Sequence, residues 1–193
     1  MKHIILTLTI LGLLLASCGS NNDKAHSTAV KAKKTEKPKI GEEPDITATW
    51  SYYTDINEMT DSTTENAVIG PLEMVRQRDY PFRPIALLLY VRYDERYGNE
   101  VILAATSYAT FDMANLESAE IEMRFDDEPV EYVTFVPPYP YSPHILFALE
   151  GEKLVDKLLT HKKLRIRANL YDMESKVFHY NIEGFKWNYG RLL

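Results

Sequence analysis

The sequence predicts a mainly β fold, an antiparallel β-sandwich carrying one short α-helix near residues 152–162. Three observations predict it. Apolar and polar residues alternate with period two in several windows, most plainly at 120–125 and 163–170, the mark of strands with one face buried and one wet. Turn-forming residues punctuate these windows, as at Tyr97-Gly98-Asn99, where a hairpin is expected. Only Glu152 to Lys162 sets its apolar residues at helical spacing. Many short strands with one helix are the makings of a two-layered β domain.

Taken in chain order, the first strand opens at Trp50, Tyr52 and Tyr53, and Ala67–Leu72 supplies a second. Ile85 to Tyr90 is apolar without interruption, as a central strand covered on both faces would be. Val101–Ala105 follows across the turn as its hairpin partner. Next, Ile121, Met123 and Phe125 share one face, with Glu120, Glu122 and Arg124 on the other. Glu131–Val136 and Ile145–Leu149 read as further strands. In the helix, Leu154, Val155, Leu158 and Leu159 form one stripe. Glu152 lies early in it and Lys157, His161, Lys162 and Lys163 late, which suits the helix dipole. Leu164, Ile166, Ala168 and Leu170 then face one way while Lys163, Arg165, Arg167 and Asn169 face the other, and Val177–Phe185 ends the series. A domain of this size, residues 46–193, buries roughly two-thirds of its unfolded surface and needs no staple. No internal repeat interrupts it.

The first seventeen residues stand apart. Lys2 is followed by an apolar run from Ile4 to Leu15, broken only by Thr7, Thr9 and Gly12. That run is shorter than the ~20 apolar residues needed to span a bilayer, and its order of charge, apolar core and small residues describes a secretory signal peptide. Leu15-Ala16-Ser17-Cys18 resembles the lipobox of bacterial lipoprotein precursors. The resemblance implies cleavage before Cys18, diacylation of its sulfur and N-acylation, hence a membrane partner reached through acyl chains at ~0.8 kcal/mol per buried CH₂. Cys18 is the sole cysteine, so no disulfide framework is expected. Gly19 follows where an inner-membrane retention signal would carry aspartate, so an outer-membrane, Gram-negative location is expected.

Residues 19–45 hold six lysines, five acidic residues and almost nothing to bury. They read as a flexible tether that cannot offset its ordering entropy, with a root-mean-square reach on the order of 25–30 Å.

The succession of landmarks in the domain carries a second resemblance. Trp50 is followed by Met59-Thr60-Asp61, then by Arg124-Phe125-Asp126-Asp127-Glu128-Pro129-Val130. The apolar helix Leu154–Leu159, the alternating basic strand Leu164–Tyr171 and Ile182-Glu183-Gly184-Phe185-Lys186-Trp187 complete it. This order resembles small exported β-sandwich proteins of the VasI type, associated with type VI secretion. The resemblance implies the sandwich fold and a place near a secretion assembly, and it implies no enzymatic role. The paired cysteines frequent in those proteins are absent here.

Candidate chemistry is sparse. Asp126-Asp127-Glu128 is the densest acidic cluster, but a Ca²⁺ loop needs six or more ordered oxygens, and Asp-Asp-Glu-Pro reads as a polar turn. Asp61 is placed to cap a turn with its carboxylate. His144, His161 and His179 lack zinc-ligand spacing. Neither a nucleophile elbow nor a phosphate loop is present. No catalytic residue, metal or cofactor is therefore expected.

The most unusual segment is Val136-Pro137-Pro138-Tyr139-Pro140-Tyr141-Ser142-Pro143. Four prolines cannot sit inside a ladder, so a stiff loop displaying Tyr139 and Tyr141 is expected, with a cis X-Pro bond admissible. Tyr80-Pro81-Phe82-Arg83-Pro84 is a second such group. Rigid aromatics make good contact anchors, so Tyr139, Tyr141, Tyr80 and Phe82 are the expected binding residues.

Residues 47–193 carry fifteen Lys and Arg against twenty-three Asp and Glu, a net charge of −8. That opposes nucleic-acid binding, which needs basic surface. The local basic run Lys162, Lys163, Arg165 and Arg167 reads as one solvated strand face paired with Glu120 and Glu122. The expected role is a membrane-anchored, non-catalytic binding or assembly module with an envelope protein as partner. The alternative is a glycan-associated lipoprotein, since tyrosine platforms and carboxylates also suit sugars.

Overall fold

The computed structural model describes residues 47–76, 84–106, 109–113 and 117–190. The expected leader, Cys18 and tether lie outside them, as do Tyr80 and Phe82. The described chain is mainly β. Its strands are β1 (Ser51–Asn57), β2 (Ser62–Ile69), β3 (Leu87–Asp94), β4 (Gly98–Ala105), β5 (Ala119–Phe125), β6 (Glu131–Val136), β7 (Ile145–Ala148), β8 (Lys163–Ala168) and β9 (Lys176–Asn181). One helix, α1 (Gly151–Thr160), lies between β7 and β8. Every strand pair is antiparallel, in the spatial order β1-β2-β3-β4-β7-β6-β5-β8-β9.

The two layers are halves of one continuous nine-stranded sheet. Its ends approach each other. The buried Tyr180 hydroxyl on β9 donates to Leu87 O on β3 at 2.6 Å, and Leu72 N, just beyond β2, donates to His179 O at 2.7 Å. Alternation along the strands supplies the core between the halves. Ala67, Leu89, Val91 and Leu103 come from one half and Ile121, Met123, Ile166 and Phe178 from the other, all at most 2% exposed. From α1, Leu154, Val155 and Leu158 join this core, and Leu159 packs half-buried against it.

Three expectations are corrected in detail. The second strand begins at Ser62 rather than Ala67 and ends at Ile69, because its first half pairs with β1. That β1 is exposed along its whole length, so Thr63, Thr64 and Glu65 meet little core and show no apolar alternation. The last strand stops at Asn181 rather than Phe185. Ile182 N and Glu183 N both turn to Lys162 O, and Gly184 takes φ +83. Beyond it, an aromatic series runs Trp50–Phe185–Trp187–Tyr189–Tyr93, with centroids 4.3, 5.9, 5.0 and 6.1 Å apart. Finally, Asn57 rather than Asp61 supplies the side-chain acceptor in the β1–β2 turn, through Met59 N to Asn57 Oδ1 at 2.9 Å. Asp61 instead occupies the left-handed position, φ 53, which Asp tolerates better than most residues.

The helix ties two hairpin turns together. At its start it meets Asn99, which lies in β4 just past the turn at 95–97 rather than in the turn as expected. Asn99 gives both N–H groups of its amide nitrogen: to Glu152 (3.1 and 3.0 Å) and to Tyr189 O (3.1 Å). Its carbonyl oxygen accepts from Trp187 Nε1 at 2.7 Å. At its end, Lys157 pairs with Glu131 at 2.6 Å and His161 Nε2 with Glu128 at 3.0 Å.

Candidate ligand-binding cleft

The expected tyrosine anchors fall on the loop between β6 and β7. Tyr139 is fully exposed, at 101%, and Tyr141 is 49% exposed; the Tyr139–Pro140 bond is cis. The loop is clamped at its far end, where Phe111 N donates to Pro143 O and His144 Nδ1 donates to Ala109 O, both at 2.9 Å. Asp126-Asp127-Glu128 forms the turn between β5 and β6. Asp126 takes φ 43 and its Oδ1 accepts from Lys162 N and Lys163 N at 3.1 and 2.8 Å. These backbone bonds and the neighbouring cations hold its carboxyl below the ordinary aspartate range, against the opposing effect of burial, which is the largest single influence. Among the described residues no group of His, Cys, Asp and Glu converges as metal ligands would.

The expected pairing of the basic strand face holds only in part: Glu120 lies beyond the β5–β8 register, opposite Thr134 of β6, and Lys162 pairs instead with Glu183 at 2.8 Å. Arg167 meets Glu122 directly across the β5–β8 register, 2.6 Å apart. Arg165 lies 3.6 Å from Asp127 and donates to Asp126 O, and Arg124 donates to Glu128 O at 2.8 Å. These pairs leave a depression of only about 140 Å³ on the outer face of β5, β8 and β9.

The outer face of the other half is different. A cleft of about 380 Å³ lies across β1, β2, β3, β4 and β7. Register explains its lining. Tyr53, Asn66 and Arg92 stand in one row across β1, β2 and β3. Tyr90, Ile102 and Phe147 stand in the next, across β3, β4 and β7. Tyr90 and Ile102 sit between buried neighbours along their strands, whereas Tyr53 belongs to the exposed edge strand β1. Large rings thus rise from every second strand, while β2 and β4 between them contribute Thr64, Asn66, Ile102 and Ala104.

The polar groups of the cleft are fixed. Arg92 Nε donates to Glu100 at 2.8 Å, and its guanidinium lies 5.4 Å from the Phe147 ring centroid, close enough for a cation–π attraction. Buried Asn66 donates through Nδ2 to Asp55 at 3.3 Å and to Thr64 O at 3.1 Å. The Tyr53 hydroxyl is pushed up to about 12, first by burial and then by the neighbouring Tyr90 and Asp55. Burial raises Tyr90 as well. Both phenols are therefore neutral near pH 7, able to donate and to accept. Neither hydroxyl has a hydrogen-bond partner among the described residues.

Sequence reasoning missed this cleft, because its three rings come from positions 53, 90 and 147 and meet only through strand register. The local signal was a large aromatic at an outward position of a strand, as at Tyr90. No protein-family model matches the chain, and neither a curated protein nor a solved structure matches it.

Proposed function

We propose that the protein is a lipid-anchored component of the bacterial cell envelope, held at the outer membrane of a Gram-negative cell through acyl chains on Cys18. On this reading its β domain is a non-catalytic binding or assembly module for another envelope protein. The Leu15-Ala16-Ser17-Cys18 motif and the charge-balanced segment after it support the anchor.

The observation that carries the binding role is Tyr139, wholly exposed on a proline-framed loop. A large ring held out in water by a restrained backbone loses little entropy on association and gains apolar contact when covered. The carboxylates of Glu122, Glu128 and Glu131 are engaged with Arg167, His161 and Lys157, which favours architecture over acid–base work. A secretion component as partner fits the resemblance to VasI-type proteins.

Two substitutions test the two halves of this reading. Cys18→Ala abolishes incorporation of labelled palmitate and moves the protein from the membrane pellet to the soluble fraction; unchanged membrane retention overturns the anchor. A photo-crosslinker placed at Tyr139 in living cells yields one discrete envelope-protein adduct that Tyr141→Ala weakens. Loss of every adduct while the protein remains folded overturns the binding role.

A further inference from the structure

We infer that the cleft across β1–β4 and β7 is a carbohydrate site that receives a neutral glycan chain lying across the strands. The first support is the kind of group the cleft offers. It opens on the face of the sheet, where backbone N–H and C=O groups are consumed by the ladders. An extended peptide seeking main-chain bonds needs a strand edge, and the edge here is the outer side of β1, at the margin of the cleft rather than on its floor. What protrudes is rings and side-chain polar atoms: the faces of Tyr53, Tyr90 and Phe147, with Asp55, Asn66 and Thr64 beside them. A pyranose presents the matching chemistry, with apolar C–H faces to lie on rings and hydroxyls at its rim that both donate and accept.

The second support is spacing. Rings rise from β1, β3 and β7, each separated from the next by one intervening strand. Neighbouring strands lie about 4.8 Å apart, so Tyr90 and Phe147, which share a row, stand about 10 Å apart across the sheet, and Tyr53 stands two strands further over and one row along. Alternate sugars of an extended glycan recur at a comparable distance, and the smaller side chains of β2 and β4 leave room for the sugar between. At about 380 Å³ the cleft lies at the small end of the range for ligand sites, which suits a short oligosaccharide segment rather than a folded partner.

The third support is charge. Arg92 is already paired with Glu100 at 2.6 Å, Asp55 faces the same space, and the domain carries −8 overall. An anionic polysaccharide meets net repulsion there. A neutral one does not. The fixed geometry of Asn66 and Arg92 means that few side chains need ordering when the ligand arrives.

This site is separate from the Tyr139 loop and depends on the envelope reading only for the supply of glycan, so either proposal can fail without the other. The test uses the full chain in lauryldimethylamine oxide micelles, a detergent without a sugar headgroup. Maltohexaose, cellohexaose and chitohexaose are titrated calorimetrically, with dextran sulfate as the anionic probe. At least one neutral hexasaccharide binds, and Tyr53→Ala weakens it roughly tenfold through loss of a stacking ring. Tyr53 lies on an exposed strand, and the paired variant Tyr53→Phe with Tyr90→Phe, which keeps the rings and removes only the hydroxyls, weakens binding severalfold and serves if the alanine variant fails to fold. Tyr139→Ala leaves binding unchanged. The inference is overturned if no neutral hexasaccharide binds, if dextran sulfate alone binds, or if binding survives both cleft variants or is lost with Tyr139→Ala.

Discussion

The two ends of α1 perform the same task by opposite means. At the start of the helix, the β3–β4 turn is fastened by Asn99, which is 6% exposed and bonded to Glu152, Tyr189 O and the Trp187 indole. At its end, the β5–β6 turn is fastened by partly exposed ions: Lys157 with Glu131, side chains 25% and 29% exposed, and His161 with Glu128, 17% and 47% exposed. Hydrogen bonds enclosed by protein gain from the low local dielectric and are costly to leave half-made. Exposed ion pairs are screened by salt and hold two long side chains at an entropic cost, so each contributes little. The difference teaches that topology does not set the strength of a fastening. Its access to solvent does.

The comparison breaks most visibly at Asn99. Asn99→Ala leaves the buried Trp187 N–H without its acceptor, while the exposed Glu152 carboxylate keeps only the backbone N–H of residue 99, at 3.3 Å. The expected cost is about 2–3 kcal/mol, read as a melting temperature lower by roughly 4–10 °C. A loss below about 1 kcal/mol would erase the contrast between the two ends. Gly151→Ala tests the same end by crowding. A Cβ there would sit 2.5 Å from Asn99 O and 3.2 Å from Glu100 Cα. Those are backbone atoms that cannot swing aside, so the helix start must shift off β4. About 2 kcal/mol is expected from such overpacking, measurable in urea denaturation, with no change at the His161 end.

The sequence exposed the parts of the fold that local pattern controls. Glu131–Val136 is a strand over the predicted residues, and α1 lies within two residues of its expected span at either end, because each carries its own periodicity. Asp126-Asp127-Glu128 reads correctly as a turn, since aspartate accommodates the positive φ that the turn requires. Hidden from sequence were features set by register and closure. The first half of β2 has no core to imprint alternation on it. Asn99 looked like an ordinary turn residue, and nothing near it in sequence announces Glu152 or Trp187, fifty-three and eighty-eight residues away. Tyr53, Tyr90 and Phe147 share a cleft for the same reason. The displayed loop of Tyr139 and Tyr141 was legible, because proline excludes a ladder without help from any distant residue.

The smallest effect separates the two ends most sharply, because only the C-terminal fastening uses a histidine. His161 donates through Nδ1 to Lys157 O at 2.8 Å and through Nε2 to Glu128 at 3.0 Å, so its charged form is favoured. The bond to Glu128 raises its pKa above the ordinary 6.5, against partial burial. Glu128 is correspondingly held below 4.5, chiefly by His161 and further by Lys157. A raised histidine contributes stability that is complete below about pH 6.5 and is lost as pH climbs through its folded value. A lowered glutamate contributes stability that is present above about pH 4.5 and is lost as pH falls through its own. The pair is therefore strongest between those limits. Wild-type melting temperature is expected to decline by on the order of a degree or two between pH 6.5 and 8, and Glu128→Gln to flatten that decline, with the Asn99 end unaffected. If Glu128→Gln keeps the full slope, then His161 is not titrating against this partner. The C-terminal fastening would then rest on Lys157 and Glu131, 2.6 Å apart.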